Sequence, residues 1–256
     1  MSSYIGRHAG LYDLFYAQKN YAEEAEFIHE CIKKYYRGKP VHLLEMACGT
    51  GKHSYHLWKK GYKIVATDYS EDMLECAREN HKQWNTDVEF RHLDMRNPVL
   101  EGEKPDVIVC LFDSIGYLQT NENILALLKF VKEQLKEGGL FIVEYWNAGA
   151  FLRYYEPSRT KHFKTPEAEL TRISETEIDY INQLAHVHYT ITEKSNDSVE
   201  NEIKEVQSNR YFLHQEMQLF FQQAGLKCLG AFAGYTNDTD IKIDTWHTVA
   251  VLTKSL

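Results

Sequence analysis

The stretch that most constrains the fold is Leu43-Leu44-Glu45-Met46-Ala47-Cys48-Gly49-Thr50-Gly51. An apolar strand here runs into a glycine turn, and a helical pattern starts just after it. In a doubly wound α/β sheet, that junction is where a nucleotide-like ligand sits. The spacing narrows the ligand. A dinucleotide fingerprint requires G-x-G-x-x-G, with the third small residue where the helix packs on the strand. This chain reads Gly49-Thr50-Gly51-Lys52-His53-Ser54, so the third glycine is absent. One carboxylate, Glu45, stands ahead of the turn, and a second, Asp68, ends the next strand.

The rest of the chain supports such a sheet. Strands are expected over 41–46, 63–67, 88–93, 106–112 and 140–145, with helices over 51–60, 70–84 and 121–136 between them. Ser70 and Asn121 are expected as helix caps, and Gly61 and Gly138-Gly139 as helix stops. Segment 106–112 is almost continuously apolar, as a strand covered on both faces must be. A helix over 20–37 precedes the first strand, and the aromatic run Leu11-Tyr12-Asp13-Leu14-Phe15-Tyr16 precedes that helix. Between 150 and 210 the pattern turns to period two, as in Thr171, Ile173, Glu175, Glu177 and Asp179. Period two with mixed faces predicts an antiparallel ribbon, read as an insertion over one side of the site. A helix over 214–224, stopped by Gly225, leads to a terminal hairpin over 226–233 and 245–252. Its last strand is expected to enter beside the fifth. The expected fold is α/β: a doubly wound, Rossmann-like sheet of seven strands with an antiparallel β insertion. The expected division is 1–149 for the N-terminal lid and ligand-binding core, 150–210 for the insertion, and 211–256 for the elements completing the sheet.

Composition excludes several functions. No apolar run approaches the ~20 residues of a membrane span. The start, Met1-Ser2-Ser3-Tyr4, lacks the basic and apolar regions of a signal peptide. Five scattered cysteines without a C-x-x-C pair suit reduced thiols in the cytoplasm. The net charge of −8 repels a phosphate backbone and argues against a nucleic-acid substrate. His53 and His56 share a helix and His186 and His188 a strand face, but no acid or cysteine stands at matching spacing, so no metal is expected.

Acid-x-(Gly/Ala)-x-Gly-x-Gly, followed by an acid one βα unit later, resembles the class I methyltransferase pattern for S-adenosylmethionine (SAM). A SAM site needs close backbone approach, a carboxylate for the ribose hydroxyls, and recognition of the adenine. Ala47, Cys48, Gly49 and Gly51 supply the first, Asp68 the second. Tyr69 and Met73 flank the adenine, Asp94 is placed to accept from its amino group, and the Met95 backbone to donate to its ring. Glu45 holds the ammonium group of the amino acid tail indirectly or orders the loop, and both roles stay open. Leu111 and Phe112 are expected to wall the cofactor, and Tyr117 to face the methyl acceptor. Asp113 is read as a solvated loop carboxylate, with a general base as the alternative. Tyr12, Tyr16 and Tyr21 are read as a lid.

The chain as a whole resembles the small-molecule methyltransferases that include the dTDP-amino-sugar N,N-dimethyltransferases of desosamine and mycaminose biosynthesis. The marks are Tyr12-Asp13-Leu14 with Lys19-Asn20-Tyr21-Ala22-Glu23-Glu24-Ala25, then Ala47-Cys48-Gly49-Thr50-Gly51, Ser70-Glu71-Asp72-Met73-Leu74, Asp94-Met95-Arg96, and Cys110-Leu111-Phe112-Asp113-Ser114-Ile115-Gly116-Tyr117-Leu118. The resemblance implies SAM as cofactor and a small-molecule amine as acceptor, with a homodimer as an open assembly. It implies that Tyr12 and Tyr21 contact SAM or the acceptor, that Tyr12 and Tyr117 orient the acceptor, and that Phe112, Ser114, Tyr117, Trp146 and Arg172 form its site. Tyr117 stands where some relatives have histidine. Hydroxyl, carbon or simple-amine acceptors, a non-catalytic SAM-binding module and an NAD-dependent dehydrogenase remain as alternatives.

Overall fold

The computed structural model describes residues 4, 6–40, 42–166, 168–195 and 198–254. Helices α1 (Arg7–Phe15) and α2 (Tyr21–Tyr35) come first. The alternation then runs β1 (His42–Met46), α3 (Lys52–Trp58), β2 (Lys63–Asp68), α4 (Glu71–Gln83), β3 (Glu89–His92), β4 (Val107–Cys110), a 3-10 turn (Ser114–Leu118), α5 (Asn121–Gln134) and β5 (Leu140–Trp146). After α6 (Ala148–Tyr154) come β6 (Ser158–Lys164), β7 (Glu169–Asp179), β8 (Leu184–Ser195) and β9 (Ser198–Arg210). The chain ends in α7 (His214–Ala224), β10 (Leu226–Ala233) and β11 (His247–Lys254).

Seven strands form the core sheet in the order β10-β11-β5-β4-β1-β2-β3. All neighbours are parallel except β11, which runs antiparallel to both β5 and β10. The strand order reverses at β1, which pairs with β2 on one side and β4 on the other. That reversal opens a crevice beyond the carboxyl ends of these strands. Alternate side chains feed two cores. Leu44, Met46, Ile108 and Cys110 pack with Leu127, Val131, Phe220 and Phe221 of α5 and α7. Leu43, Val107 and Val109 pack with Ile28 and Ile32 of α2, Leu57 of α3 and Leu74 of α4. The apolar runs of β1 and β4 follow from burial on both faces.

The segment expected as an antiparallel ribbon is a second sheet in the order β6-β7-β8-β9. Helix α1 is wedged against it through Leu11 and Phe15, which pack on Leu170 and Ile191.

Three local expectations need correction. Strand β4 stops at Cys110, because Phe112 (φ 55) and Asp113 (φ 56) turn into left-handed backbone that no strand accommodates. The cap of α5 is Thr120, whose extended backbone lets its hydroxyl accept the Asn123 N–H at 3.3 Å; Asn121 is already helical. Helix α6 was not anticipated. Val41, the expected first residue of β1, lies outside the described residues.

Candidate cofactor and acceptor site

A cavity of about 740 Å³ lies between the carboxyl ends of the core strands and the second sheet. Ala47, Cys48 and Gly49 form part of its wall. The loop that carries them takes left-handed backbone at Ala47 (φ 54), Gly49 (φ 56) and Gly51 (φ 78). Gly51 is not among the residues lining the cavity. A Cβ there would stand 2.7 Å from His81 Nε2, which bonds the Gly51 carbonyl at 2.8 Å. Glycine lets the turn close onto α4.

Asp68 ends β2 on the cavity wall. Its Oδ2 accepts the Gly49 N–H at 2.8 Å and its Oδ1 the Ser70 N–H at 2.9 Å. Burial pushes its carboxyl up, and the backbone donors oppose this. Two bonds fill about half of a carboxylate's acceptor capacity, which leaves lone pairs for a diol. Asp94 also lines the cavity, held by Arg96 through Nη2–Oδ2 at 2.7 Å and Nε–Oδ1 at 2.9 Å. The guanidinium keeps its carboxyl below the ordinary range. The same guanidinium carbon stands 4.7 Å from the Tyr69 ring centre. Met95 lines the same end. Met73 lines it too, packed on Tyr12 and Ala9.

Glu45 lies near the end of β1. It lines the cavity, yet it is buried and accepts from the Ser54 hydroxyl of α3. Burial pushes its carboxyl up, while the nearby His53 ring opposes that. His53 Nε2 meets Glu24 Oε2 of α2 at 2.6 Å.

Tyr12, Tyr16 and Tyr21 all line the cavity. Side-chain contacts fix α1 above it. Arg7 meets Glu193 at 2.6 Å, and His8 Nδ1 meets Glu205 Oε2 at 2.8 Å. Toward the core, Asp13 accepts from Thr50 at 2.7 Å and Asn80 at 3.1 Å.

Leu111, Phe112, Ser114, Tyr117 and Trp146 bring the loop after β4 and the end of β5 to the cavity. The Tyr117 hydroxyl points at Gln207 Oε1, 3.4 Å away. Burial pushes its phenol well above the ordinary value.

Two expectations fail here. Arg172 does not line the cavity. Its guanidinium is buried behind the wall, 4.7 Å from the Phe15 ring and 5.6 Å from Tyr16 and Tyr189. Asp113 is no solvated carboxylate: it is 1% exposed and accepts the Trp146 N–H at 2.7 Å and Asn209 Nδ2 at 3.0 Å.

Sequence reasoning missed the far wall: Gln119 and Asn123 by α5, His186 and His188 on β8, and Gln207 and Asn209 on β9. Polar residues spaced two apart on β9 were the available signal, since they share one face. Among the described residues, no three histidine, cysteine, aspartate or glutamate side chains gather as a metal site.

Residues 43–139 match the methyltransferase domain family. The dTDP-3-amino-3,4,6-trideoxy-alpha-D-glucopyranose N,N-dimethyltransferase of Streptomyces venezuelae is 38% identical over 141 residues, 54% of this chain and 57% of that one. The dTDP-3-amino-3,6-dideoxy-alpha-D-glucopyranose N,N-dimethyltransferase of Streptomyces fradiae is 28% identical over 230 residues, 88% of this chain and 86% of that one. The chain thus spans just over half of the first relative and most of the second. A SAM-dependent methyltransferase from Clostridium acetobutylicum superposes with a TM-score of 0.83 at 21% identity, covering 98% of both chains. The core sheet is the class I methyltransferase fold, and residues 43–139 match a methyltransferase domain. Asp68, with acceptor capacity to spare, the left-handed loop and the cavity of about 740 Å³ are compatible with a nucleoside-bearing cofactor such as SAM.

Proposed function

We propose that this chain, whose residues 43–139 form a SAM-dependent methyltransferase domain, methylates the amine of a nucleotide-linked amino sugar. The observation that carries the reading is the second half of the cavity. Beyond the end at β1 and β2, it continues along Tyr117, Trp146 and polar side chains of β8 and β9. That space is built for a polar acceptor larger than a simple amine. The names of the Streptomyces relatives support an amino sugar.

In this reading residues 1–149 hold the cofactor, 150–210 shape the acceptor side and 211–256 complete the sheet. Asp68 binds the ribose diol. Tyr69 and Met73 flank the adenine, with Asp94 and Met95 at its edge. Ala47, Cys48 and Gly49 bring backbone to the amino acid tail, and Tyr12 and Tyr21 close over it. Bound SAM supplies a sulfonium-activated methyl group. The protein's part is alignment, which contributes about 7–11 kcal/mol in favourable cases. The acceptor nitrogen's lone pair forms the new C–N bond as the C–S bond breaks, and the nitrogen then releases a proton to water. A neutral amine needs no strong base. Aromatic walls beside a cation favour the neutral form, and Tyr12 and Tyr117 orient it. The proposal includes a cytoplasmic location and a homodimer, the latter open to size-exclusion chromatography. Among the described residues, no helix is long and apolar enough to cross a membrane.

The test mixes the protein with methyl-deuterated SAM and a dTDP-3-amino-hexose and reads the sugar by mass spectrometry. One or two labelled methyls on nitrogen are expected. Label on glycine but not on the sugar would overturn the amino-sugar reading.

A further inference from the structure

We propose that Gln207 and Glu205 form a polarised hydrogen-bond chain that makes Tyr117 an acceptor toward the substrate amine. The inference rests on the methyl-transfer reading above.

The direction of each bond follows from what surrounds Glu205. Its Oε1 accepts the Tyr4 N–H at 2.8 Å and Gln207 Nε2 at 2.9 Å. Its Oε2 meets His8 Nδ1 at 2.8 Å. Burial pushes the Glu205 carboxyl up, and these partners bring it below its ordinary value. A carboxylate only accepts, so it fixes the Gln207 amide with its nitrogen inward. The Gln207 oxygen is therefore turned to Tyr117 and takes its hydroxyl proton. Gln207 is 5% exposed and lies on the cavity wall.

With its proton committed to Gln207, the Tyr117 oxygen presents lone pairs to the cavity. A neutral amine hydrogen-bonded through N–H to Tyr117 keeps its own lone pair free to point at the methyl carbon. Tyr117 touches the substrate; Gln207 and Glu205 are positioning residues acting through it. Because Glu205 also holds His8 and Tyr4, the chain is complete only with α1 in place.

The test is a double-mutant cycle between Gln207→Leu and Tyr117→Phe, read as kcat and KM for the amino sugar. Each single variant should lower kcat roughly tenfold with binding of the demethylated cofactor product unchanged, and the double variant should lose no more than either. Losses that multiply, or no loss in Gln207→Leu, would overturn the proposal. Independently of turnover, the Tyr117 Cζ resonance in ¹³C-tyrosine-labelled protein should shift in both Gln207→Leu and the isosteric Gln207→Met. An unmoved resonance would remove the bond to Tyr117. A wild-type chain that leaves the amino sugar unmethylated sinks the functional reading, and the resonance then still decides the hydrogen-bond chain.

Discussion

The Asp113 carboxylate accepts Asn209 Nδ2 at 3.0 Å, tying the loop after β4 to the second sheet. Its other oxygen takes the Trp146 N–H at 2.7 Å. One buried side chain thus joins both sides of the acceptor half of the cavity. Burial pushes this carboxyl well up, and the two donors oppose that. Asp113→Asn must turn its own NH₂ toward one of the donors. The mismatch costs about 1–3 kcal/mol. A lower melting temperature and slower methyl transfer are expected, with SAM affinity kept. Complete loss of turnover at full stability would instead make Asp113 a base.

The misreading of Asp113 shows where sequence stops informing. A loop Asp is normally solvated, and here partners far away in sequence, on β5 and the second sheet, hold it buried. Elements set by local chemistry were legible: β1 with its glycine turn, α7 ending at a left-handed Gly225, and the β11 hairpin. Asp68 and Asp94 were legible because strand ends on one edge of such a sheet share the crevice. Side-chain direction across the second sheet was not. Arg172 and His186 both sit on that sheet, yet only His186 reaches the cavity. The packing of His81 on Gly51, from thirty residues away, was not legible either.

Gly51→Ala tests that packing. Left-handed backbone costs a non-glycine residue roughly 1–2 kcal/mol, and the new Cβ, 2.7 Å from His81 Nε2, adds to it. Both the melting temperature and affinity for the demethylated cofactor product should fall. His81→Ala in the Gly51→Ala background should restore part of each, because it removes the clash and leaves the strain.

Asp68→Asn tests the diol contact. The amide presents one NH₂ where the carboxylate now accepts backbone N–H groups on both oxygens. Loss of a charged hydrogen bond costs about 1.5–3 kcal/mol, so calorimetry should show roughly 10- to 100-fold weaker binding of SAM. Acceptor KM at saturating SAM should change little. A variant with unaltered SAM affinity would place the ribose elsewhere.

Glu144 gives the pH dependence. It is 1% exposed on β5, accepts from the Phe112 N–H and the Tyr235 hydroxyl, and meets His247 Nδ1 at 2.7 Å. Burial alone would raise its carboxyl. His247, Lys19 and Tyr235 more than reverse that, bringing it from 4.5 to about 2. A carboxyl lowered in the folded state stabilises above its unfolded value, and the gain fades as pH falls toward the folded value. The contribution is about 3 kcal/mol at neutral pH, lost between about pH 4.5 and pH 2. Urea unfolding across that window should show Glu144→Gln less stable at pH 7 and converging on the wild type at low pH. Parallel curves would mean that Glu144 titrates alike in the folded and unfolded chains. Since Glu144 holds the Phe112 amide at the cavity wall, SAM binding in the wild type should weaken over the same window and in the same order.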